Sequence, residues 1–132
     1  MSITKNAGRQ GVVVAYVDIS FADLVDDVAQ GAIDLPLGAV VVGGEVIVTE
    51  AFDSGTTDEL SVGLPGDSNI FVGGIDGQAL GLTTIEPFGA VHDATNNSVE
   101  VTWLSSGSAA TAGAFRLAVR YYVNGRASAS QG

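Results

Sequence analysis

The sequence predicts an all-β fold: an antiparallel β-sandwich, jelly-roll-like, in a single domain with a flexible N-terminal arm. Three observations predict it. Short apolar segments with a two-residue period recur along the chain. The chain holds 18 glycines that punctuate those segments. Only one stretch carries a helical period, and it is flanked by strands. A length of 132 residues fits one domain able to bury a core without staples. The boundaries expected are an arm over 1–10, a sandwich over 11–126 and a tail over 127–132.

Met1–Gln10 is polar and aperiodic and reads as the arm. Val12–Ile19 is rich in β-branched residues and reads as a strand. Ser20–Gln30 is ambiguous. Phe21, Leu24, Val25 and Val28 fall at helical spacing, and Ser20 with Asp23 fits a loose capping box. The reading preferred is a loop or one helical turn at Asp23–Asp27, then a short strand over Val28–Leu35. Leu35-Pro36-Leu37-Gly38 is a tight turn. Ala39–Phe52 is a long strand that bends or bulges at Gly43-Gly44, with Val46, Val48 and Phe52 on one face. A turn follows over Asp53–Asp58, and a return strand begins at Glu59–Val62.

Gly63–Gly89 is the least regular part. It reads as a turn at Leu64–Asp67, a short strand at Ile70–Val72, a loop at Gly73–Gly77 and one helical turn at Gln78–Leu82. Such an excursion is expected to be a contact loop. Ala90–His92 and Ser98–Leu104 suggest a hairpin across Asp93–Asn97, with Val99, Val101 and Trp103 pointing one way. Gly113–Val123 alternates most cleanly. Phe115, Leu117, Val119, Tyr121 and Val123 share one face, and Arg116, Ala118, Arg120 and Tyr122 share the other. Ala127–Gly132 is a tail of small residues.

Charge is segregated. All 15 acidic residues lie between Asp18 and Glu100, and the five basic ones flank them: Lys5, Arg9, Arg116, Arg120 and Arg126. The net charge of −10 disfavours nucleic acid as a partner. No apolar run is long enough for a membrane span, and the opening residues lack a signal-peptide core. Hydrophobic residues make up 46% of the chain and charged ones 15%, so part of the surface is a candidate for cover by partners.

No reaction site stands out. With no cysteine there is neither a disulfide framework nor a thiolate. The single histidine, His92, precedes Asp93, but strand neighbours point to opposite faces and no serine is marked as its nucleophile. Asp53, Asp58 and Glu59 with Ser54 and Thr56 offer oxygens that could hold calcium, yet the spacing is not that of an EF-hand, and side-chain-capped turns explain the same residues. Asp23 with Asp26-Asp27 is a weaker case of the same kind. The glycines at 73–74 lack the GK[ST] of a phosphate loop. No cofactor and no metal are expected. Arg116, Arg120 and Tyr122 share one strand face and are read either as an inter-subunit contact or as a solvated face paired with acids.

The stretch AIDLPLGAVVVGGEVIVTEAFDSGTTDELSVG, with SFADLVD before it and FRLAVRYYVNGRA near the end, resembles a pattern in small head proteins of tailed bacteriophages. There a strand ends in a Leu-Pro-x-Gly turn, an apolar strand follows, and a Phe-Asn/Asp-Ser-Gly-Thr turn leads into Leu-x-Val-Gly. The resemblance implies a decoration, or cement, protein: a non-enzymatic virion component on the outer capsid surface, commonly a trimer, that clamps neighbouring capsomers. The implied partners are the major capsid protein and further copies of the chain. The expected contact residues are Lys5, Arg9, Arg116, Arg120 and Tyr122. The alternative is a carbohydrate-binding or tail- and spike-associated sandwich, for which one Trp and three Tyr, mostly in strand patterns, are a thin aromatic supply.

Overall fold

The computed structural model describes residues 11–87 and 98–123. The described residues form eight strands and one 3-10 turn. They are β1 (Val13–Ser20), the 3-10 turn Phe21–Asp23, β2 (Gln30–Asp34), β3 (Ala39–Glu50), β4 (Thr57–Leu64), β5 (Asp67–Asp76), β6 (Gly81–Thr84), β7 (Ser98–Ser106) and β8 (Ala114–Val123). Two four-stranded antiparallel sheets face each other, one ordered β1-β8-β3-β6 and the other β2-β7-β4-β5. This is an antiparallel β-sandwich, as the periodicity predicted. Every connection between the described strands crosses from one sheet to the other except β4–β5.

The core is the set of inward residues on each strand. Phe115, Leu117 and Val119 of β8 meet Leu60 and Val62 of β4 and Val99, Val101 and Trp103 of β7 in one buried cluster. Val46 and Val48 of β3 join it, as does Phe52 just beyond that strand. Phe52 bridges the sheets, its ring centroid 5.5 Å from Trp103 and 6.3 Å from Phe115. Gly113 makes room for it: a Cβ there would lie 2.5 Å from the Phe52 ring.

Several elements depart from the sequence reading. The 3-10 turn lies at Phe21–Asp23, not Asp23–Asp27, because the Asp23 carboxylate accepts from the Ser20 N–H at 3.0 Å and closes the turn there. Val25 and Val28 are exposed, so the helical stripe is not a core stripe. The bulge expected at Gly43-Gly44 is present, as a register shift between Val41 and Gly43 against β8.

The expected loop over 63–89 is largely strand. β5 runs ten residues, and β6 replaces the expected helical turn. Bulges hid β5. Leu60 and Val62 of β4 face Ile75 and Val72, so β5 holds one extra residue there, and Gly74 takes φ 69°. The turn before β6 is set by Asp76, whose carboxylate accepts from the Gln78 N–H at 2.9 Å. The expected strand at Ala90–His92, the turn over Asp93–Asn97, the arm over 1–10 and the tail over 127–132 lie outside the described residues.

Leu117 has no exposed surface. Leu117→Ala is therefore expected to lower the free energy of unfolding by about 2–5 kcal/mol in urea titrations. Leu82→Ala on β6, where the side chain is exposed, should stay within about 0.5 kcal/mol of the parent chain.

Candidate functional site

Four sheet-crossing connections gather at one end of the sandwich: β1–β2, β3–β4, β5–β6 and β7–β8. Aspartates bind them together. Asp58, at the start of β4, is 1% exposed. Its carboxylate accepts from Trp103 Nε1 at 2.7 Å, the Ser54 hydroxyl at 2.6 Å, the Ser54 N–H at 3.0 Å and Gln78 Nε2 at 3.0 Å. Gln78 Nε2 also donates to the Ser54 carbonyl at 3.0 Å. Burial pushes the Asp58 pKa up, but the bonds from Ser54, Gln78 and Trp103 outweigh it and hold the carboxyl below its ordinary value.

Asp53 clasps the β7–β8 connection. It accepts from the Thr111 hydroxyl at 2.5 Å and from the Thr111 and Ala112 N–H groups at 2.6 and 2.9 Å, and these bonds also lower its pKa. Asp26 accepts from the Ser105 N–H and hydroxyl at 2.6 and 2.8 Å. The Asp53, Asp58 and Asp26 carboxylates, weighed as calcium ligands, thus accept from N–H and O–H donors. Among the described residues no group of three or more His, Asp or Glu side chains is arranged to hold a metal. His92 lies outside the described residues.

The second candidate is the outer face of the β1-β8-β3-β6 sheet. Register lines its residues up across the strands: Val14, Arg120 and Gly43 in one row, Tyr16, Ala118, Glu45 and Thr84 in the next, then Asp18, Arg116, Ile47 and Leu82. Tyr122 stands beside Val40. The structure therefore brings Arg116, Arg120 and Tyr122 onto one face, and Lys5 and Arg9 lie outside the described residues.

Both arginines are held by acids of neighbouring strands. Arg116 makes a two-pronged bond to Asp18 at 2.7 and 3.0 Å, with its guanidinium 4.7 Å from the Tyr16 ring centroid. The Arg116 bond lowers the Asp18 pKa, and the same pairing raises that of Arg116. Arg120 Nη1 donates to both Glu45 oxygens at 3.0 and 2.9 Å. Gly43 is its cradle, since a Cβ there would lie 2.6 Å from Arg120 Nη2. The face is thus close to neutral and partly apolar, with Val14 and Tyr16 beside the paired charges. Sequence reasoning found the arginines but not their acids, which lie 98 and 75 positions away.

No protein-family model matches the chain, and no curated protein matches it. Solved structures do. A chain in the cyanophage Pam1 capsid asymmetric unit aligns with a TM-score of 0.68 at 20% identity, over 93% of this chain and 91% of that one. A chain in the acid-stable capsid of Helicobacter pylori bacteriophage KHP30 aligns with a TM-score of 0.66 at 20% identity, over 87% of this chain and 90% of that one. The chain shares its fold with components of phage capsids.

The lowered pKa values of Asp53 and Asp58 set a pH dependence. A carboxyl whose folded pKa is depressed contributes stability that is present above its unfolded value, about 3.9, and is lost as pH falls through the folded value. Unfolding free energy should therefore drop below about pH 4. Asp58→Asn should flatten that drop and cost about 1–3 kcal/mol at pH 7, because buried donors lose their acceptor. Urea titrations of both chains between pH 2 and 7 measure it, and equal slopes in the acid range would remove Asp58 from the account.

Proposed function

We propose that the chain is a non-enzymatic structural virion protein that binds the outer surface of a phage capsid and cements neighbouring capsomers. The observation that carries this reading is the fold likeness, which spans nearly all of this chain and of the chains in two capsid assemblies. The head-protein pattern over Ala32–Gly63 supports it from the sequence side. So does the acidic body, which belongs on a face of the shell away from packaged nucleic acid.

The mechanism is mass action. A protein that binds the assembled lattice and not its separated subunits stabilises the lattice by RT ln(1 + [L]/Kd), about 2.7 kcal/mol per site at a hundredfold excess over Kd. The copies act as a homotrimer in a jelly-roll arrangement, and the contacts assigned are Lys5 and Arg9 in the N-terminal segment with Arg116, Arg120 and Tyr122 on the sheet face. Interfaces of this kind favour Arg and Tyr.

Quantitative mass spectrometry of purified particles tests the reading. A ratio near one copy per major capsid subunit is expected, whereas a few copies per particle would assign the chain to a tail or portal, and absence would end the proposal. Deleting residues 1–10 should reduce occupancy on particles. Unchanged occupancy would remove Lys5 and Arg9 from the mechanism.

A further inference from the structure

A sandwich of two open sheets has four edges, and three of them here are blunted. β6 is four residues long. β2 has five residues, a register shift between Gly31 and Ile33, and Asp34 at its end. β5 is broken by two register shifts and carries Gly73 and Gly74. Short strands, bulges and charges are the devices that keep an edge from pairing with another chain.

β1 has none of these over most of its length. Its register against β8 runs unbroken from Val13 to Ser20. From Val13 to Val17 it contains no charge, no proline and no glycine. Its apolar side chains stand in solvent: Val13 is 46% exposed, Val14 55% and Tyr16 63%. Among the described residues its second edge pairs with nothing. Such a strand is a template for an added one.

The surroundings specify the guest. Between β1 and β2 runs a cleft of about 190 Å³ lined by Val17, Ile19, Leu24 and Ala32, with Asp18 and Asp23 in the same lining. Residues 11–34 hold five aspartates and no lysine or arginine; Asp18 is neutralised by Arg116, so Asp23, Asp26, Asp27 and Asp34 carry the unbalanced charge among the described residues. We infer that β1 takes up an extended segment of a capsid subunit as a fifth strand of its sheet, with apolar side chains at alternate positions and Lys or Arg at a flank. Main-chain hydrogen bonds along β1 supply affinity, one face of the guest covers the cleft, and its basic flank meets the aspartates. A second copy of this chain fits less well, because each copy brings a net charge of −10 to the contact. The source of the guest rests on the capsid reading above; the edge itself does not.

The test uses capsid particles depleted of the chain and the full-length protein. Wild-type binding comes first: if the parent chain does not bind particles, the capsid reading fails and this inference with it. Given binding, Val14→Lys should lower occupancy at sub-saturating concentration at least tenfold, while Leu104→Lys, on the exposed face of the other sheet, should leave it unchanged. Hydrogen exchange on the wild-type chain is the second readout and needs no variant. Amides of residues 13–19 should exchange at least tenfold more slowly on the particle than in free protein. Wild-type occupancy for Val14→Lys, or unaltered exchange along β1, overturns the inference while leaving the capsid reading intact. Sedimentation separates the remaining occupant. A free wild-type oligomer that Val14→Lys dissociates, with β1 amides already protected before particles are added, assigns the edge to a second copy and overturns the capsid strand.

Discussion

The buried carboxylate of Asp58 is the constraint on which the crossing end of the sandwich depends. The fold sends the chain from sheet to sheet at almost every connection, and each crossing leaves loop N–H groups that the ladders cannot satisfy. Asp58 answers for three segments at once: the β3–β4 turn through Ser54, the β5–β6 turn through Gln78 and strand β7 through Trp103. The Gly77 N–H donates to the Asp58 carbonyl and the Phe52 N–H to the Gly77 carbonyl, so the backbone beside the carboxylate is tied as well. Phe52 then plugs the gap between the sheets. An unpaired charge at this position would be costly; four donors make it an organising centre.

The same logic accounts for much of the acidity. Asp53 and Asp76 each accept from a backbone N–H in a loop or turn, and Asp23 and Asp26 from a backbone N–H at the end of a strand. An acidic composition thus arises from the fold's need for short side-chain acceptors at its crossings, as well as from any preference about partners. The two ion pairs on the sheet face consume further charge of both signs, which leaves that face less cationic than its arginines suggest.

Much of the fold was legible because burial imposes a period. β8 places Phe115, Leu117, Val119 and Val123 inward, although Ala118 on its other face is buried too, and β7 places Val99, Val101 and Trp103 inward. The Leu35–Gly38 turn is where Pro36 and Gly38 put it, with Gly38 at φ 86°. β5 was not legible. Two register shifts interrupt its alternation, and glycines that enable a bulge look like loop glycines in a one-dimensional reading. The turn at Phe21–Asp23 was misplaced because the apolar spacing of Val25 and Val28 imitates a helix stripe that faces solvent. The candidate site was legible in part. That Arg116, Arg120 and Tyr122 share a face was legible from one strand's alternation, but the acids that hold the two arginines come from strands distant in sequence. Asp58 looked like a turn residue because nothing local announces Trp103 or Gln78 as its partners. The β1 edge had a signal that went unused: an unbroken apolar run in an antiparallel sheet leaves one face uncovered unless something else covers it.

The strand order also dictates when this protein can exist. Among the described residues β1 pairs only with β8, and β2 only with β7. On a ribosome the first two strands emerge early and have nothing to pair with until the last two are made. Closure of both sheets waits until β8 has been made, through Val123. Pairings that distant in sequence make for slow folding. The nascent chain therefore passes through a stage in which its most apolar N-terminal strand is unpaired on both edges, a period of exposure to wrong partners. Any truncation that removes β8 would strand β1 permanently, so a shortened product is a hazard to its neighbours rather than a weaker version of the full protein.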